Sequence, residues 1–157
     1  MYLKEIEDES EQEMRDSQRS KVYTWEQNLS SEEELTSMQC EKLAERICKA
    51  YDCTTPRIKF INSRHGGALY CYDHVIKLPW WARNRLTLLH ELSHAILHRK
   101  IIGWNTLAAH GPEFVALYID LLSRYRIAHK KELLRSAKQA KINIATSDAR
   151  IKPSFRV

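Results

Sequence analysis

The sequence predicts an α+β fold in one domain, and three observations carry that prediction. Apolar stripes at helical spacing occupy both ends of the chain. Between Pro56 and Pro79 the apolar runs shorten to five or six residues and turn rich in Ile, Val, Tyr and Phe. The length of 157 residues suits a single packed core. A composition of 43% hydrophobic and 29% charged residues excludes wholesale disorder. With 4 Gly and 4 Pro, collagen-like and Pro-rich classes are excluded too. No apolar run approaches the ~18–20 residues of a membrane helix.

The opening Met1–Gln12 is acidic and lacks the apolar centre of a secretory signal. The expectation is therefore a cytoplasmic protein in a reducing compartment. Cys40, Cys48, Cys53 and Cys71 form no CxxC pair, Cys40 and Cys48 read as small buried hydrophobes, and a disulfide framework is not expected.

Taken in order, residues 1–14 read as an acidic, disordered lead-in, 15–142 as the folded domain and 143–157 as a loosely ordered basic tail. Val22, Trp25 and Leu29, at intervals of three and four, suggest a first helix. Ser31 and Glu34 have capping-box spacing, and Glu32–Glu34 suit the positive end of a helix. Behind them Cys40, Leu43, Ala44, Ile47, Cys48 and Tyr51 make one apolar stripe. The runs 57–62, 68–72 and 74–78 predict a three-stranded, mostly antiparallel sheet, its first pair joined at Gly66-Gly67. Arg83–His98 is apolar almost all round and so belongs at the centre of the domain. Gly111-Pro112 opens another helix, with Pro at the first helical position, and Phe114, Leu117, Tyr118, Leu121, Leu122 and Tyr125 are its buried stripe. A basic helix over 129–142 follows. Trp80, Trp81 and Trp104 either wall the cleft or cap the core, the core being the plainer expectation.

On the central helix stands His90-Glu91-Leu92-Ser93-His94, the HExxH pattern. One helical turn puts both imidazoles on the same face, able to bind one Zn²⁺. Glu91, about 100° around the helix, is placed to act as general base on zinc-activated water rather than as a ligand. Burying two histidines and a glutamate without partners costs ~1–3 kcal/mol each, which favours a metal. A catalytic zinc needs a third protein ligand. The metzincin extension would place Gly at 97 and His at 100, where this chain has Leu97 and Lys100. His110 and Glu113 remain as third ligands, and His110 is preferred because Gly111 permits a sharp turn close to the site.

These two segments, HExxH and His110-Gly111-Pro112-Glu113-Phe114, resemble the SprT-like (Spartan-type) zinc metallopeptidases, whose pattern is HExxH followed by H-G-x-E-(F/W). The stretch Arg15–Tyr23 and the segment Val75–Pro79 are similar to a family of small actinobacterial and phage metallohydrolases. The resemblance spans about residues 15–126. It implies a minimal zincin-like domain, one catalytic Zn²⁺ held by His90, His94 and His110, catalysis by Glu91, and a protein or peptide substrate. No cysteine follows Cys71, so the zinc ribbon of full SprT proteins has no counterpart. HELSHAILH also resembles repressor-cleaving peptidases of the ImmA type, in which Glu113 would be the third ligand.

His98, four residues past His94, is a candidate to hydrogen-bond a ligand or substrate, with a role at the helix C-terminus the plainer expectation; Glu113 has the same candidacy, with the plainer role of a carboxylate at a helix N-terminus. His65 and His74 have no ligand spacing. In zincins an edge strand beside the active helix takes an extended peptide, and residues 68–72 or 74–78 would supply it.

Residues 1–35 carry 4 basic and 11 acidic residues, whereas 124–157 carry 10 basic and 2 acidic. Lys130, Lys131, Arg135, Lys138 and Lys141 are candidate contacts to DNA, or one solvated helix face. A zinc-stabilised nucleic-acid-binding module without catalysis is the reading from another class.

Overall fold

The computed structural model describes residues 16–30, 33–146, Ile151 and Pro153. The expected lead-in, Ser31 of the expected capping box and most of the tail lie outside the described residues. The described chain is α+β, with five helices and one three-stranded sheet.

Helix α1 is Arg19–Glu26 and buries Val22 and Trp25. Helix α2, Ser37–Ala50, begins later than Ser31 would place it. Its capping box is Thr36 with Gln39, each side chain bonding the other's backbone N–H. Glu33 and Glu34 serve elsewhere, pairing with Arg85 and Arg83 beside the central helix. The α2 stripe is buried at Cys40, Ala44, Ile47, Cys48 and Tyr51. Asp52, at φ 51°, ends the helix in a left-handed turn, and the Cys53 N–H returns to the Cys48 carbonyl.

The sheet comprises β1 (Arg57–Ile61), β2 (Leu69–Cys71) and β3 (Val75–Pro79), in the order β1-β3-β2. It is mixed. β1 runs parallel to β3 and β2 antiparallel to it, so the expected antiparallel pairing of the first two strands is corrected. The reason is the turn chemistry. The hairpin closes at Asp73-His74, where His74 takes φ 65° and its N–H bonds the Cys71 carbonyl at 3.0 Å. Gly66-Gly67 lies in the longer link between strands that do not touch. β3, central and buried on four of its five residues, carries the sheet's core face.

Helix α3, Arg85–Lys100, is capped by the Asn84 side chain on the Thr87 N–H. Leu88, Leu89, Leu92, Ala95 and Ile96 are all but inaccessible to solvent. α3 lies among α2, β2 and α4 (Pro112–Arg124). Gly111 caps α4 with Pro112 behind it. Helix α5, Lys130–Gln139, covers α4 with Leu133 and Ala137. Trp80 and Trp81 are half exposed rather than core, because they fall in a one-turn 3₁₀ helix at the rim, where the Trp81 indole N–H reaches the Ser63 carbonyl. Among the described residues no helix is long and apolar enough to cross a membrane. All four cysteines are free thiols.

Candidate metal centre

Three imidazoles meet where α3 faces the turn before α4. His90 and His94 stand one turn apart on α3. His110 reaches them from a turn closed by the Gly111 N–H on the Ala108 carbonyl, 3.0 Å. Gly111 has ordinary backbone angles, so its use is room: a Cβ there would stand 3.1 Å from both the carbonyl oxygen and the Cβ of Ala108. The His90 Nε2 lies 3.2 Å from the His110 Nε2 and 3.3 Å from the His94 Nε2. Ligands about 2.0–2.1 Å from a tetrahedral Zn²⁺ stand about 3.3–3.4 Å apart, so these two separations match the edges of such a site.

The donor chemistry also fits. Asp16 accepts from the His110 Nδ1 at 2.8 Å, and Glu26 faces the His90 Nδ1 at 3.0 Å. A carboxylate only accepts, so each Nδ1 carries a proton and each Nε2 is left with a lone pair. Lone pairs that face one another 3.2 Å apart repel unless a proton or a metal ion lies between them. Burial drives the pKa of His94 well below its ordinary value, and the neighbouring His90 and His110 push it further, keeping that ring neutral. Burial opposes the charged form of His90 as well, but the Glu26 carboxylate outweighs it and the pKa is raised. His90, His94 and His110 are thus a group able to hold a metal ion.

Glu91 stays outside the set. It is 7% exposed, and its Oε2 accepts the Tyr70 backbone N–H at 2.7 Å. Burial raises its pKa, with His90 and that N–H pulling the other way. Among the described residues β2, which holds Tyr70, pairs with no strand but β3, so the carboxylate is moored to an edge strand.

His98 does not join the metal group, nor does its ring serve the helix end. Its Nδ1 lies 2.6 Å from the Tyr70 hydroxyl. Arg99 Nε already donates to the His74 Nδ1, so the Tyr70 proton goes to His98. His98 also packs its ring against Trp104 and Tyr72. Glu113 stands in the first turn of α4, separate from the three histidines. In α5, Lys131, Arg135 and Lys138 are exposed at i, i+4 and i+7. Lys130 instead pairs with Asp120 at 3.3 Å, and Lys141 is exposed just past the helix.

Sequence reasoning missed the contribution of the first helix and the turn before it. Asp16 also accepts the His110 backbone N–H at 2.8 Å. Gln18, 6% exposed, donates to the His110 carbonyl. Tyr23 stacks on His90 at 5.6 Å between centroids and 8° between planes. Glu26 is itself held by the Tyr118 hydroxyl. One signal was present: Glu26 interrupts the stripe of Val22, Trp25 and Leu29 on its own face.

No protein-family model, curated protein or solved structure matches the chain. Its site therefore speaks through its own geometry.

Proposed function

We propose that the protein is a zinc-dependent metallopeptidase of the SprT-like, minimal zincin type. The observation that supports this best is the convergence of three imidazoles whose donor atoms lie within 4.8 Å of one another, two of the separations at the edge length of a tetrahedral site, beside a buried carboxylate outside the group. His90, His94 and His110 would hold the ion. When bound, Zn²⁺ supplies Lewis acidity and lowers the pKa of water toward ~7.

The chain's own groups do the rest. The Tyr70 N–H fixes one Glu91 oxygen, which leaves the other free to take a proton from water and pass it to the leaving amine. Burial, by raising the Glu91 pKa, brings it closer to the range of a working base. An extended peptide would lie beside β2, along the edge that no strand covers among the described residues. β3 cannot serve, because it is paired on both sides. Leu69 and Tyr72, 56% and 63% exposed, flank that edge with apolar surface.

Glu91→Gln tests the reading: it should keep wild-type zinc content and lose cleavage of casein by at least ~100-fold, the usual worth of a general base. Equal cleavage by the variant would refute the role.

The Lys131–Arg135–Lys138 stripe supports a second proposal, contact with the phosphates of DNA. Binding to a duplex should weaken steeply with salt and be lost when the three are changed to Glu. Binding indifferent to salt would end it.

A further inference from the structure

Neither the HExxH helix nor the His110 turn accounts for how α1 is attached. Its apolar anchorage is two buried residues, Val22 and Trp25, with the Trp25 indole bonded to Ser136 at 2.8 Å. Its polar anchorage converges on the metal ligands. Asp16 holds both the backbone N–H and the Nδ1 of His110. Gln18 ties the His110 carbonyl to the main chain of Asn143, donating to one carbonyl and the other and accepting the Asn143 N–H at 3.0 Å. Glu26 faces the His90 Nδ1 while Tyr118 donates to it, and the Tyr23 ring lies over His90.

We propose that the segment 16–26 is an integral part of the metal site: Asp16 and Glu26 are positioning residues that fix the ring orientation and Nδ1 proton of His110 and His90, so that metal binding and docking of this segment stabilise one another. The inference rests on the metal-binding reading above and extends it to residues outside the motif. Two physical reasons support it. Three neutral imidazoles leave a divalent ion uncompensated where His90 and His110 are 4% and 5% exposed, and the two carboxylates supply negative charge directly behind the rings. An imidazole held at Nδ1 also loses less rotational freedom on binding, since its ring is already set. Linkage makes the effect mutual: the factor by which docking tightens metal binding is the factor by which metal tightens docking.

The test is competition for Zn²⁺ against a chromophoric chelator, with amide hydrogen exchange over residues 16–30 measured with and without Zn²⁺. Asp16→Asn and Glu26→Gln should each weaken zinc binding about 10–100-fold. Asp120→Asn, which weakens the fold away from the site, should bind as the wild type does. Zinc should slow exchange in 16–30 of the wild type and fail to do so in the Asp16→Asn/Glu26→Gln double variant. Variants that bind within about threefold of a zinc-binding wild type overturn this inference and leave the metal site standing. So does exchange in wild-type 16–30 that ignores zinc, a measurement that does not depend on any variant folding. A wild type that binds no zinc overturns the metal site and this inference together.

Discussion

The two flanks of the histidine cluster are held by different physics. Toward α1 the rings meet charge: Asp16 on His110 and Glu26 on His90. Toward α4, His94 meets an aromatic plane, Phe114, at 4.4 Å and 24°, and among the described residues no carboxylate pairs with it. A carboxylate decides which nitrogen an imidazole presents. A phenyl ring decides only where the imidazole lies. The three histidines thus draw their electrostatics from outside the motif and their shape from the core.

The largest expected effect decides which residues belong to the set. His110→Ala should leave almost no zinc on the purified chain, whereas Glu113→Ala should keep about one per chain, as metal analysis would read. The opposite pattern would move the third ligand to Glu113 and dissolve the charged flank at Asp16.

Next comes the apolar flank. Phe114 is fully buried and touches all three ligand rings. Phe114→Ala should cost about 3–5 kcal/mol in urea unfolding. A cost under about 1 kcal/mol would mean that α4 does not support the cluster by packing.

A carboxylate that touches none of the three histidines offers a milder contrast. Asp120 accepts from Tyr51 at 2.9 Å and from Arg124 at 2.7 Å. Burial would raise its pKa, but the hydrogen bonds from Arg124 and Tyr51 outweigh it and hold the value below the ordinary one. A depressed folded pKa means stability that is complete above the unfolded value near ~4 and fades as pH falls through the folded one. Asp120→Asn should therefore cost about 1–3 kcal/mol at pH 7 and flatten the acid limb of the stability curve. An unchanged limb, followed by urea unfolding at several pH values, would place that dependence on other carboxylates.

The parts of the site legible in the sequence are those fixed by local spacing. His90 and His94 share a face because of helical pitch, and Gly111-Pro112 marks the start of α4 whatever surrounds it. Asp16 and Glu26 were not legible, since they are two of 11 acidic residues in the first 35 and only the tertiary fold selects them. Sheet order was hidden for a similar reason. Alternation tells which residues face the core, not which strand lies next to which, and a Gly-Gly pair looked more turn-like than Asp73-His74, where a histidine takes the left-handed angle. Trp80 and Trp81 misled because bulk suggests burial, while their place at the rim leaves them half in solvent.

Gln18 has one more consequence, for the order of synthesis. The ligand turn is buttressed from both directions along the polypeptide: residues 16–18 from before it, and from after it Asn143 through Gln18 and the Ala145 N–H on the Pro112 carbonyl at 3.0 Å. A nascent chain that has not yet extruded residue 145 lacks the later half of that support. A half-made polypeptide therefore carries the HExxH motif without the Asn143 and Ala145 contacts that steady the turn beside it.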